Sequence, residues 1–188
     1  MTGLTYPEVG ATQGGVLPPG YHHLRYRTEV GRSVMGQSEV GRSEVGRSEV
    51  ERDAFAVAAE AVLTWRLHRA AGVPMRVSAP RAAPGVRVES VFGVAPLQVS
   101  APCQVVWVVR EPSRAGFGYG TLAGHPVRGE EAFVVEVVDG RIWFSVTAFS
   151  RPATWYTRAA GPVLPVLQRG YAGHLARVLR RLCAHPSH

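Results

Sequence analysis

The sequence predicts an α+β fold in which a curved antiparallel sheet of six to seven strands grips a long C-terminal amphipathic helix. Three observations carry this expectation. Residues 76–149 are β-branched and aromatic runs separated by turn signals. Residues 162–183 set apolar side chains at spacings of three and four, with arginines mainly between them. One sheet face and one helix face are therefore apolar, and packing them together buries both. The 188 residues suit one domain, 1–188.

A first strand is expected over residues 21–28. A pentad repeat follows: Thr28-Glu29-Val30-Gly31-Arg32 recurs as Ser38-Glu39-Val40-Gly41-Arg42 and Ser43-Glu44-Val45-Gly46-Arg47, closing with Ser48-Glu49-Val50-Glu51-Arg52. A valine every five residues fits neither the 3.6 period of a helix nor the 2 of a strand. Glycine in each full unit costs a helix about 1 kcal/mol apiece, and so few pentads cannot stack as a solenoid. Residues 28–52 are thus expected to be a tandem insertion in a mobile surface loop. Gly41 to Ser48 nearly spells a phosphate-binding loop, but Arg47 holds the lysine position and no apolar strand feeds it. The pentad generates that spacing by itself, so the motif is rejected.

A helix is predicted over 54–71, with Asp53 as N-cap, Gly72 at its end and Pro74 beyond. Glu60, Thr64 and His68, four residues apart, mark its polar stripe. Strands are predicted over 86–92, 97–101, 104–110, 116–122, 131–138 and 141–149. Asp139-Gly140 between two apolar runs specifies a type I′ hairpin turn. If Val138 pairs with Arg141, then Val137 faces Ile142, Val135 faces Phe144 and Phe133 faces Val146, all on one apolar face. Glu131 falls on that same face, at its far end. A carboxylate there must reach a mouth, find a partner or shift its pKa.

In the last helix, Trp155, Tyr156, Val163, Leu164, Leu167, Tyr171, Leu175, Val178, Leu179 and Leu182 form one expected apolar stripe, and Gly161-Pro162 and Pro165 imply a break near its start. The order strand, helix, antiparallel strands, long helix resembles the helix-grip fold of START-like proteins. That resemblance implies a ligand cavity between sheet and helix.

Three segments also resemble one uncharacterised family of bacterial and plant proteins, uncharacterised protein family 0548. They are Tyr6-Pro7-Glu8-Val9-Gly10-Ala11-Thr12, then Gly118-Tyr119-Gly120-Thr121-Leu122-Ala123-Gly124-His125-Pro126 with Gly129-Glu130-Glu131-Ala132-Phe133, and Ala148-Phe149-Ser150-Arg151-Pro152. The helix around Trp65 is similar to that family too. The chain departs from the family pattern at Ala123, where proline is usual, and at Val127, where an acid is usual. The family passes from first strand to helix without pentads, which agrees with an insertion there. The resemblance supplies a family and no mechanism.

The candidate site is the loop carrying Tyr119, His125, Glu130 and Glu131, with Arg151 nearby. A histidine and a carboxylate converging at a cavity mouth can perform acid–base work, so His125 and Glu131 are the candidate catalytic pair. Tyr119, His125, Glu130, Glu131 and Arg151 are the candidate ligand contacts. Gly116, Gly118 and Gly120 permit close approach of another backbone or a ligand. The alternative for His125 and Glu130 is that they tie the loop down by hydrogen bonds.

No metal site or cofactor is expected: His22 and His23 are adjacent on a strand and point to opposite faces, and no metal-ligand spacing occurs. Cys103 reads as a small core residue, and the four tryptophans as core or pocket wall.

All 21 basic residues are arginine against 14 acids, a net charge of +7. Six arginines and no acid lie between Arg151 and His188, so residues 1–150 are nearly neutral. That end can meet nucleic acid or an acidic partner, which is the alternative function. Its polar helix face lacks interleaved aromatics, which argues against nucleic acid. The longest apolar runs fall short of a membrane span, the N-terminal residues lack the pattern of a signal peptide, and two cysteines form no disulfide framework. A cytoplasmic protein binding a small apolar or amphipathic molecule is the leading expectation.

Overall fold

A computed structural model of the protein describes residues 3–33, 54–92, 98–159 and 163–185. Seven strands form one antiparallel sheet in the order β1-β7-β6-β5-β4-β3-β2. They are β1 (His22–Arg32), β2 (Met75–Val77), β3 (Arg87–Phe92), β4 (Val99–Glu111), β5 (Arg114–Thr121), β6 (Val127–Val138) and β7 (Arg141–Pro152). The helices are α1 (Ala11–Gly14), α2 (Ala54–Leu63), α3 (Arg66–Ala70), α4 (Trp155–Ala159) and α5 (Val163–Ala184). The inner sheet face meets α5 and α2, and the outer face carries the N-terminal segment with α1 over β6 and β7. The curved sheet and long C-terminal helix are those the sequence predicts.

The β6–β7 hairpin has the register set by its turn. Asp139 and Gly140 both have positive φ, 51° and 69°, as a type I′ turn requires. Val138 pairs with Arg141, Val137 with Ile142, Val135 with Phe144 and Phe133 with Val146. Phe133, Val135, Ile142, Phe144 and Val146 are fully buried in the main core. Against them α5 lays Ala172, Leu175, Ala176 and Leu179, each 0 % exposed. Burying each leucine stabilises the fold by roughly 2 kcal/mol.

Several expectations are corrected. The first strand runs to Arg32, so the first pentad is strand, with a bulge between Glu29 and Gly31. It is held there from both sides: Ile142 pairs with Gly31, and the Arg180 guanidinium donates to the Glu29 carbonyl at 2.9 Å and the Thr28 hydroxyl at 2.6 Å. The later pentads, the phosphate-loop look-alike, Asp53 and Gly161-Pro162 lie outside the described residues. Residues 97–101 and 104–110 do not form two strands. Pro102 sits within β4, opposite Glu89.

The expected 54–71 helix is broken in two at Trp65, whose φ of +65° is rare for a bulky residue. The break buries the indole completely, edge-on to Phe117 at 5.0 Å, while Nε1 donates to the Ala79 carbonyl at 3.0 Å. It also turns His68 inward. That residue, expected on a polar stripe, is 1 % exposed and packs edge-on to Phe133. Neither of its ring nitrogens has a hydrogen-bond partner. Trp155 and Tyr156 leave the expected apolar stripe as well: they sit on the separate α4, and Trp155 is 79 % exposed.

Candidate functional site

The seven strands curve away from the start of α5, and a cavity of about 540 Å³ opens between them. Val88, Val99, Ala101, Cys103 and Ala148 supply apolar walls from β3, β4 and β7. Tyr156 and Thr157 of α4, and Leu167, Gln168 and Tyr171 of α5, close the helical side. His125 and Pro126, in the loop between β5 and β6, also line it.

Tyr119 and Glu131 are direct cross-strand partners on β5 and β6. Their parity places them with Phe117 and Phe133 on the inner face, and the Tyr119 hydroxyl donates to Glu131 Oε2 at 3.0 Å. Burial pushes the Glu131 carboxyl up to about 7, with the Tyr119 hydrogen bond pulling it the other way. The phenols of Tyr119 and Tyr171 are raised by burial and then by the Glu131 charge. The Cys103 thiol is raised for the same two reasons, so it stays a protonated wall residue.

His125 is held by its own loop. Its Nδ1 lies 2.9 Å from the Val127 carbonyl oxygen, to which it donates when it carries the ring proton, and 3.1 Å from the Val127 amide nitrogen. Burial lowers its pKa to about 4, so the ring is neutral at pH 7. Thr157 and Ala153 donate to the Pro126 carbonyl, each at 3.0 Å, pinning this loop to α4 and its approach. Thr121 Oγ1 accepts from the Gly129 amide at 3.0 Å and closes the loop's base.

The structure brings Tyr119, His125 and Glu131 to the cavity. It does not bring the side chains of Glu130 and Arg151, because each lies one residue out of phase. Glu130 points through the outer face and is 2 % exposed. Its carboxylate accepts from Tyr6 Oη and the Gly10 amide, both at 2.7 Å, and from the Thr12 amide at 3.0 Å. The Thr12 hydroxyl and Trp107 Nε1 complete the set. The Glu130 carboxylate therefore anchors the N-terminal segment. Arg151 is exposed on the same outer side, its guanidinium 4.9 Å from the centre of the Tyr21 ring. Among the described residues no hydrogen bond joins His125 to Glu131, so the expected catalytic pair is two separate groups on one cavity.

The glycine spacing also has an outer-face explanation. A Cβ on Gly118 would strike the Trp107 indole, and one on Gly120 the Tyr6 ring. Two aromatic rings pack against β5 there, so these glycines make room for side chains of this chain.

Sequence reasoning missed Tyr171, Gln168 and the α4 pair Tyr156 and Thr157. Tyr171 was legible only as one member of the apolar stripe; its hydroxyl, raised in pKa by burial and then by the Glu131 charge, is what marks it. Among the described residues no group of three or more His, Cys, Asp or Glu is placed to hold a metal ion, and no helix is long and apolar enough to cross a membrane.

The sequence profile of a domain of unknown function, DUF1990, matches residues 5–178. A UPF0548 protein of Deinococcus radiodurans is 51 % identical over 79 residues, 42 % of this chain and 40 % of that one. A UPF0548 protein of Arabidopsis thaliana is 36 % identical over 83 residues, 40 % of each chain. Each match thus spans 40 % of the curated relative's own length. Among solved structures, a norcoclaurine synthase point mutant of Thalictrum flavum, in complex with a transition-state analogue, superposes with a TM-score of 0.57. It is 12 % identical, over 92 % of this chain and all of that one, a likeness of fold alone.

Proposed function

The chain belongs to the DUF1990 family, and from that premise and its cavity we propose that it binds a small amphipathic molecule between sheet and helix. The observation that carries this is the pairing of an apolar cavity of about 540 Å³ with a hydrogen-bonded polar pair, Tyr119 and Glu131, set into its wall. A volume in this range suits a small organic ligand, and a few placed polar groups orient it. The norcoclaurine synthase neighbour, itself in complex with a transition-state analogue, supports such use of this architecture by analogy.

The same geometry supports acid–base chemistry at Glu131 ahead of His125. A carboxyl near 7 exchanges a proton at neutral pH, whereas a histidine near 4 stays neutral. The basic face of α5 is used in part within the molecule, since Arg180 clamps β1.

Native mass spectrometry of freshly purified protein tests the reading. We expect a co-purified small molecule, or one taken up from a panel of aromatic amphiphiles, and loss of that binding when Ala148→Trp fills the cavity. A protein that binds none of them, and whose Ala148→Trp variant behaves identically, overturns it.

A further inference from the structure

Resting on the cavity as a ligand site, we propose that its ligand is an organic cation: an apolar body bearing an ammonium or amidinium nitrogen that pairs with Glu131.

Glu131 is the one carboxylate whose side chain faces the cavity among the described residues, because Glu130 is spent on the opposite face. The chain contains no lysine, and no arginine is among the described residues that line the cavity. The basic side chain that does line it, His125, is neutral and has its Nδ1 engaged by the Val127 backbone. Among the described residues Glu131 thus has no cationic partner. Its Oε2 takes the Tyr119 hydroxyl, while Oε1 accepts no hydrogen bond among the described residues.

A carboxylate in an apolar wall is costly unless a charge or several donors compensate it. Stability selects against leaving such a group unpaired, so a ligand supplies the missing charge most economically. The surroundings suit a cation further. Tyr119 and Tyr171, the two phenols that feel the Glu131 charge, line the cavity from β5 and α5, and aromatic rings beside the carboxylate suit a positive nitrogen. An anionic ligand finds the reverse, with no arginine to receive it and a carboxylate to repel it. A neutral alcohol can bind through one hydrogen bond without either effect.

Isothermal titration of the full chain with phenylbutylamine, phenylbutanol and phenylbutanoate, near pH 8, separates the possibilities. The three share one apolar body and differ in the charge of the head group. We expect the amine to bind at least about 10-fold more tightly than the carboxylate, and this ratio to collapse toward one in Glu131→Gln. Glutamine keeps the shape and can still accept from Tyr119, and a thermal melt checks that the variant folds. Repeating the amine titration near pH 7 in buffers of different ionisation enthalpy should show net proton release, since pairing favours the ionised carboxyl. The other groups facing Glu131 with a proton to lose are Tyr119, Tyr171 and Cys103, all pushed above their ordinary values, and they stay protonated there.

A carboxylate that binds as tightly as the amine, or an amine preference that survives in Glu131→Gln, overturns the proposal. If the alcohol binds with no amine preference, the cation inference falls and the ligand cavity stands. If none of the three binds, both fall.

Discussion

Glu131 and His68 are both buried titratable groups, and they load the fold in opposite directions with pH. Glu131 ordinarily titrates at 4.5 and here near 7. A raised carboxyl binds its proton more tightly in the folded state, so stability is greatest below 4.5 and is lost as pH rises through 7. Glu131→Gln removes that loss. We expect its melting temperature near pH 8 to exceed wild type by a few degrees, from about 2 kcal/mol, with the gain vanishing near pH 4. A functional carboxyl kept at the expense of stability behaves this way. His68 ordinarily titrates at 6.5 and here near 4, with desolvation as the cause. The folded state binds fewer protons, so stability falls as pH drops from about 6.5 to about 4. His68→Phe keeps a ring against Phe117 and Phe133 and is expected to flatten most of that acid loss, on the order of 3 kcal/mol. His125 contributes a further loss of the same sign. Melting curves from pH 4 to 8 on both variants read the two effects separately.

At the scale of the element, β5 shows how one strand serves two layers. Its inner positions, Phe117 and Tyr119, build core and cavity, while Gly116, Gly118 and Gly120 face the outer layer. A bulge in β4 between Val105 and Trp107 sends Val105 to the main core and Trp107 to a separate outer cluster with Val109 and Ala132. The alternation of buried residues continues unbroken across that bulge, so periodicity alone does not reveal it. Gly118→Ala is expected to displace the Trp107 indole and lower stability by about 1–3 kcal/mol. Chemical denaturation followed by tryptophan fluorescence would detect it, and hydrogen exchange should quicken across residues 5–17, which Glu130 and Trp107 hold in place.

At the scale of the whole molecule, exposed apolar side chains gather, among the described residues, on α4 and the start of α5. Trp155 and Val166 are 79 % and 70 % exposed, and Leu167, 62 % exposed, also lines the cavity. This rim lies where α4 and the start of α5 stand over the opening. Leu167→Ala is expected to speed dissociation of phenylbutylamine several-fold in stopped-flow measurements, with little change in melting temperature, because it touches the opening and little of the core. The sequence pattern assigned Leu167 and Tyr171 to the same buried stripe as Leu175 and Leu179. Helical spacing says which residues share a face; it does not say how far along that face the sheet continues to cover it.

Residue order and period by themselves determined the seven-stranded sheet's main hairpin, its register and its inner face, because a two-residue turn and a period of two leave one solution. They placed Glu131 on that face; the observed strand pairing adds Tyr119 to it and turns Glu130 and Arg151 the other way. Tertiary structure alone decided the rest. It buried His68 by breaking a helix at Trp65, gave Glu130 to the N-terminal segment, and left Glu131 facing apolar space with no arginine beside it among the described residues. These outcomes depend on which distant segments meet, and on the cost of a charge or an unpaired donor where they do, and neither is written in local spacing.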